Sequence, residues 1–538
     1  MTGSKIIGCF IFFLSAALSC NAQKKYDVLV YGGTSGGFIA AIQVAKMGKS
    51  VALLEPGSHI GGMNVEGLGG TDIDNHGFVN NTAVGGLALE FYYRIAKAYH
   101  RDSLFMPAGQ QYRKGTMPWR FESRVAQTVI DEWLKEFKID VYYQCPLSET
   151  KDAVQMENNR VVMLRTVNAQ TFTATVFIDA SIEGDLLAAA GVSTTVGREA
   201  NSKYDETKNG IRAETDHAQF TIKLDPYKIP GDSTSGLLPG IQDEPLGNPG
   251  DSDDRLQAFC FRVCLTQDSS NKISFYKPAG YDSLLYEIYV RYEKSGGVLY
   301  RPSVSIPNGK TDLGAWHDLS HNLYGMNRGY ATADYATRKI ILDYHARFTR
   351  GLFYFLANDM RIAASTRSAW SSWGYCRDEF TDNNGFPRMF YVRDGRRMVS
   401  DYVITEKHTR KINPEPVADP VAVAYWPPDL HSVRRIVKDG VAYNEGAVFG
   451  GDNWKAFSIS YRALVPKKNE CSNLLTATCP SSSHVAYGAI RIEFTFMALG
   501  QACATAAVIA IDDKQKVQDI NYKKLQGRLR KDRQVMAL

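Results

Sequence analysis

After its first two dozen residues the chain alternates short apolar runs with longer amphipathic stretches. Residues 26 to 31 (Tyr-Asp-Val-Leu-Val-Tyr) form a β-rich run of the kind buried on both faces of a parallel sheet. They lead straight into Gly32-Gly33-Thr34-Ser35-Gly36-Gly37, and residues 38 to 47 then predict a helix closed by Gly48. A second apolar run, residues 50 to 54, ends on Glu55. Strand, glycine turn, helix, strand and terminal acid make one βαβ unit. Further on, residues 176 to 178 run into Asp179-Ala180, with Gly184-Asp185 shortly after. Residues 335 to 358 carry apolar groups at helical spacing (Ile340, Ile341, Tyr344, Phe348, Leu352, Phe355), which predicts a core-packed helix. Near the end, residues 473 to 475 lead through Ser483, His484 and Gly488 to Arg491, and residues 497 to 507, with Leu499 and Gly500, predict a helix of small side chains.

The first unit has a specific chemistry. Gly32 lets the chain turn sharply out of the strand, and Gly37 lets the helix approach the sheet. The helix N-terminus then offers unpaired N–H groups and a positive dipole end to a diphosphate. Glu55, 23 residues beyond Gly32, stands where a carboxylate accepts both ribose hydroxyls of an adenosine. Thr34 replaces the middle glycine of the dinucleotide fingerprint. Its side chain narrows the approach, while its hydroxyl is placed to donate to a phosphate. Pro56 to Met63 then put a glycine pair, Gly61-Gly62, just after the acid.

An acid followed by Gly-Gly resembles the signature of two-dinucleotide-binding flavoproteins, and the segments at Asp179 to Leu186 and Ser483 to Ala507 resemble their later signatures. With residues 373–380, 391–398 and 461–467, they make the chain similar to the bacterial FAD-dependent oxidoreductase family, over residues 26 to 512. Exported members of that family sometimes carry a xanthan-lyase label. The resemblance implies an α/β fold: a discontinuous Rossmann-like FAD-binding domain with an inserted α+β substrate or cap domain. It implies FAD as cofactor, held by residues 32 to 37 (Gly32, Gly33, Thr34, Ser35, Gly36, Gly37), by Glu55, Pro56, Gly61, Gly62 and Met63, by Asp179, Ala180, Gly184 and Asp185, and by Gly488, Leu499 and Gly500. The layout expected is a signal segment over 1–22, the FAD domain over 25–200 and again over 455–515, the insertion over 201–454, and a tail over 516–538. Turn-rich stretches at 230–236 and 245–251 mark the entry to the insertion.

Composition bounds the partners. The chain has 538 residues, is 44% hydrophobic and carries a net charge of +5, which suggests neither a nucleic-acid nor a membrane surface. The basic tail (Lys523, Lys524, Arg528, Arg530, Lys531, Arg533) reads as a solvated helix face. Lys5 followed by the apolar residues 6 to 18 reads as a targeting segment, so export to the periplasm or beyond is expected. Two processing readings compete: cleavage before Gln23, and lipidation at Cys20. No other stretch reads as a membrane span. Nine cysteines become seven once Cys9 and Cys20 are set aside, with Cys260 and Cys264 either paired or in neighbouring helical turns. No Cys/His cluster has zinc spacing, so no metal site is expected.

Flavin carries the hydride, and protein groups orient substrate and move protons. His484 is the first candidate for that work and His431 the second, with His76 third and His59 assigned to the cofactor loop. Arg393, Arg396 and Arg397 could clamp a carboxylate or a hydroxyl pair, or form ion pairs with Asp378, Glu379 or Asp394; Arg491 and Glu493 read as a pair. The function expected is hydride transfer between flavin and a polar small molecule, a sugar or sugar-derived acid, with a separate electron acceptor or donor. Two alternatives stand beside it: fumarate-reductase-like reduction of an unsaturated acid, and a non-redox carbohydrate-binding or lyase-type protein.

Overall fold

The computed structural model describes residues 24–73, 81–104, 119–451 and 453–538; the expected targeting segment with Cys20, and His76, lie outside the described residues. β1 (Lys25–Tyr31), α1 (Ser35–Lys46) and β2 (Val51–Leu54) follow the predicted order. β1 is parallel to β2, with Val28 opposite Val51. Two further helices, α2 (Gly86–Ala98) and α3 (Ser123–Glu136), precede β3 (Asp140–Tyr142), which extends the sheet beside β2. An antiparallel excursion of β4 (Val154–Glu157) and β5 (Arg160–Arg165) leads to β6 (Thr171–Asp179). β6 runs parallel to β1, with Tyr31 opposite Asp179.

β6 takes two partners on its far side. Its first residues pair antiparallel with β5, and its last pair parallel with β7 (Leu474–Thr476). Seven strands thus form one sheet among the described residues, completed by a strand some 300 positions downstream of β6. From Val28 to Tyr31 β1 is continuously apolar and buried because both its faces are covered there. Val28 and Val30 enter the core with α1, while Leu29 and Tyr31 enter a second one with Leu164, Leu186 and Leu187.

The insertion builds its own core from aromatics, among them Phe259, Phe261, Tyr289, Phe353, Trp370 and Phe390. α4 (Tyr335–Asn358) spans the predicted helix, and its N-cap Asp334 accepts a hydrogen bond from Thr337 N at 2.7 Å. Ile340, expected in the core, is 69% exposed; the buried face runs through Phe348, Leu352 and Phe355.

Beyond β7 come α5 (His484–Ile490) and α6 (Glu493–Asp512), the latter starting four residues before the predicted helix. α6 is long and apolar enough to cross a membrane, a stretch the sequence reading passed over, and it is buried against α1. Strand Pro420–Ala424 pairs with Phe457–Ser460 and lies in the same core as α1 and α6. The chain therefore returns to that core before residue 455. α7 (Tyr522–Lys531) carries the tail's basic residues on a solvated helix face, as expected, and adds a buried one: Leu525 and Leu529, one helical turn apart, are fully buried in this core. Cys260 and Cys264 lie in extended chain rather than in helical turns, and the sulfur facing Cys264 belongs to Cys376.

Candidate cofactor and substrate site

The glycine turn sits where β1, β6 and α1 meet. Gly32 has φ +99°, and a Cβ there would lie 2.6 Å from the Ala180 carbonyl carbon. A Cβ on Gly37 would overlap the Gly32 carbonyl oxygen. Thr34 is the N-cap of α1. Its hydroxyl donates to Ala180 O at 2.7 Å and accepts from Gly37 N at 3.3 Å, so it braces the turn and is not free to donate to a phosphate. Glu55 accepts from Gly33 N and Gly57 N, both at 2.6 Å. Burial outweighs these donors and pushes its carboxyl up to about 7. Pro56 stands beside it, partly buried. Gly61 and Gly62 both have positive φ (133° and 57°), and Gly61 N donates to Gly33 O at 2.6 Å, closing this loop onto the turn.

A small cavity opens between that loop and α6, lined by Asn64, Leu68, Tyr92, Tyr391, Glu493 and Phe494 among others. Met63 and Leu68 pack against Tyr391, so the insertion roofs it. The first bond of the α6 ladder runs from Phe496 N to Ile492 O, which leaves the N–H groups of residues 493–495 at the cavity end, outside the helical pattern. The Ser35 hydroxyl donates to Glu493, and Asn64 Nδ2 donates to Ser35 Oγ at 2.7 Å. Asn64 Oδ1 is buried with no protein partner. A turn with glycines on both sides of Thr34-Ser35, a helix dipole end and an orphaned acceptor fit the diphosphate and the ring of FAD. Gly33 and Ser35 to Gly37 would hold the former, and Asn64, Tyr391 and residues 492–494 the latter.

Glu493, expected to pair with Arg491, instead faces Ser35. Burial raises its carboxyl to about 7, above the usual 4.5. A carboxyl raised in the folded state stabilises the fold below its ordinary pKa, and that contribution is lost as pH climbs through 7. Glu493→Gln should therefore stabilise the apoprotein above pH 7, by up to roughly 3 kcal/mol, and leave it unchanged below pH 4.5. Melting curves across that range check this, and a pH-independent shift would contradict it.

Above Tyr391 lies a polar array from the insertion and the α5–α6 junction. Arg491 donates to Tyr391 OH at 3.1 Å and to Asp429 O at 2.7 Å, and its Nε is buried without a partner. Arg393 is 1% exposed, and its terminal nitrogens donate to Ala258 O, Asn322 Oδ1, Cys260 Sγ and Ala315 O. That corrects its reading as a substrate clamp, since no terminal N–H remains for a ligand. It also forms none of the expected ion pairs. Arg396 binds Asp185, while Arg397 binds Glu199 and Asp394.

Arg393 acts instead through Asn322. A guanidinium can only donate, so the amide oxygen of Asn322 faces Arg393 and its nitrogen faces His431 Nδ1, 3.4 Å away. His431 then carries its proton on Nε2. Burial first, then Arg393 and Arg491, holds its pKa well below 6.5. The same guanidinium, with His321, outweighs burial at Cys260 and lowers that thiol to about 6.

His484 is fully buried at the start of α5, away from the residues that line the cavity. Its Nδ1 is 2.9 Å from Asp394 Oδ2, an electrostatic contact at an angle too poor for a hydrogen bond. Its backbone N–H donates to Glu199. The Asp179 carboxylate is occupied by Ser181 N, Ser181 Oγ and Leu187 N, which hold the turn after β6. Asp185 binds Arg338 and Arg396, tying that turn to the insertion. Gly184 takes φ +68° there. Gly488 lets α5 approach Leu430, and Gly500 lets α6 approach Gly36. Leu499 is fully buried in the core. These residues shape the site without facing the cavity. His59 lies 3.6 Å from Asp382 of the insertion.

Three carboxylates, Glu122, Asp378 and Glu379, converge as cation ligands would, but Lys310 Nζ lies among them, 2.5, 2.7 and 3.0 Å from their oxygens.

Comparison with known proteins gives the family. The sequence pattern of the family described as FAD dependent oxidoreductase matches residues 27–529. Among solved structures, an L-amino acid deaminase from Proteus vulgaris is 15% identical at TM-score 0.24, covering 33% of this chain and 60% of its own. A flavoprotein/dehydrogenase from Cytophaga hutchinsonii is 18% identical at TM-score 0.22, covering 32% and 43%. A myxobacterial chondrochloren halogenase, CndH, is also 18% identical at 0.22, covering 32% and 41%. This chain thus spans less than two thirds of each. No curated protein matches it. Fold and family together define an FAD-binding, Rossmann-type flavoenzyme. The chain belongs to the FAD dependent oxidoreductase family, and FAD is its cofactor.

Proposed function

We propose that this flavoenzyme transfers hydride between FAD and a polar small molecule, a sugar or sugar-derived acid, bound over Tyr391 between Arg491 and His431. The supporting observation is that Arg491 donates to the tyrosine that roofs the cavity at the α6 N-terminus, while His431 is held through Asn322 by Arg393, whose guanidinium lies over the same ring. FAD supplies the hydride acceptor or donor. Arg491 and the Nε2–H of His431 hold a substrate oxygen as hydrogen-bond donors, and the Glu493 carboxyl, which lines the cavity and is raised to about 7, takes or gives the proton. Arg393 is a positioning residue, acting through Asn322. Export follows in this reading from Lys5 and the apolar run before Gln23.

A hydrogen-bond donor fixed on His431 Nε2 also suits a substrate carboxylate. That supports a second reading, reduction of an unsaturated acid by reduced flavin. Anaerobic mixing of the holoenzyme with sugars, uronic acids and dicarboxylates tests both. The first predicts that a sugar or sugar acid bleaches the flavin, about 100-fold more slowly in Arg491→Lys, in line with the loss of one oriented donor. Failure of every compound to bleach it, with reoxidation of reduced flavin by an unsaturated dicarboxylate, would replace the first reading by the second.

A further inference from the structure

The sulfurs of Cys264 and Cys376 are 3.5 Å apart, 112 residues apart in sequence, and both fully buried. The backbone explains the approach. Strand Leu265–Thr266 runs antiparallel to Gly374–Cys376 with Leu265 opposite Tyr375, so one step along the same register sets Cys264 opposite Cys376. Opposed antiparallel residues have Cα atoms about 4.5–5.5 Å apart, inside the span of about 4.4–6.8 Å that a disulfide bridges. Ile306 and Phe380 complete a dry apolar nest around the two sulfurs.

We propose that Cys264 and Cys376 are joined by a disulfide in the protein's working state. The link closes a long loop at the base of the substrate array. Upstream of Cys264, Ala258 and Cys260 hold the Arg393 guanidinium, and Cys260 O accepts from Tyr391 N at 2.7 Å; downstream of Cys376 come Tyr391 and Arg393 themselves. Both walls are thus anchored by one bond. In its formation the two thiols lose two protons and two electrons as the S–S bond forms. A disulfide oxidant, such as oxidised glutathione or a thiol–disulfide oxidase, takes the electrons as its own S–S bond opens to two thiols, through a mixed disulfide. Burial and the neighbouring sulfur raise the Cys264 thiol well above its ordinary pKa. Exchange therefore takes place while the strands are still opening and closing, before the nest is sealed. This inference is independent of the substrate proposed above.

The full chain, produced in a reducing cytosol, is incubated with oxidised glutathione in mild urea, returned to buffer, then unfolded, alkylated and digested for mass spectrometry. The expected result is one cross-linked peptide pair holding Cys264 and Cys376, lighter than the two free peptides by two hydrogens. The oxidised protein should also melt about 4 °C above the reduced one, as closure of so long a loop implies for a chain of this size. In Cys376→Ala the cross-link disappears and Cys264 takes up the alkylating reagent. Alkylation of both thiols in the oxidised wild type, or attachment of either to a different cysteine, would overturn the proposal.

Discussion

Gly37→Ala is expected to fold with a displaced α1 and to lose FAD on purification, its affinity lowered at least about 100-fold, or roughly 3 kcal/mol. The added methyl overlaps the Gly32 carbonyl oxygen and comes within 3.2 Å of the Ala180 side chain. Neither neighbour is the loose end of a side chain. The helix has nowhere to retreat, because a Cβ on Gly36 would already stand 3.0 Å from Phe496 O, and Gly500 of α6 presses on Gly36 from behind. Overpacking of a core usually costs about 1–3 kcal/mol where side chains can give way, and here the turn itself must deform. Gly48→Ala is the control. Its φ of +80° is strained for alanine but nothing lies within 4 Å, so it should lose about 1–2 kcal/mol of stability and keep its flavin. Flavin absorbance of the purified proteins and FAD titration of the apo forms separate the two. Normal affinity in Gly37→Ala would mean the diphosphate lies elsewhere.

Arg397→Met should destabilise the chain by about 3–5 kcal/mol at pH 7, the largest effect expected of any charge change. Arg397 is fully buried, 2.9 Å from both Glu199 and Asp394, and methionine would leave two carboxylates without their cation. Burial opposes ionisation of Glu199, yet Arg397 and the His484 N–H prevail and hold its carboxyl down to about 2. A depressed carboxyl contributes stability that is present above its unfolded value near 4.5 and lost as pH falls toward 2. The penalty of the variant should therefore be full at pH 7 and shrink below pH 4.5, where the stranded acids take up protons. Denaturant unfolding at pH 7 and pH 4 reads this directly; equal penalties at both would show that the cost is packing and not charge.

The cofactor half of the site was legible in the sequence because its determinants are local. A strand, a glycine turn, a helix and an acid within thirty residues leave a period and a spacing to read. The closing helix was recognised but started late, since Glu493 and Phe494 break the small-residue pattern while belonging to the helix. Its first-turn acid was visible, though what it faces, Ser35, is set by packing across 458 positions. The same distance hid the role of Arg393. The cluster 393–397 stood out in the sequence, but which arginine meets carboxylates and which meets carbonyls depends on segments brought in from 185, 199 and 258. Asn322 gave no signal at all, because one asparagine in a loop becomes informative only once a donor on one side and a histidine on the other fix its amide. In the tail, charge drew attention away from Leu525 and Leu529, the pair that decides where α7 goes.

The late arrival of β7 and α6 has a consequence for how the protein is made. A ribosome releases β1 and the glycine turn first, but the strand beside β6 and the helix that presses on Gly36 emerge more than 400 residues later. Until then α1 has an apolar side with nothing against it, and the cavity has no floor. FAD can be captured only by a finished chain. Truncated products should be colourless and prone to stick to one another, and loading with cofactor is the last act of synthesis rather than an early template for it.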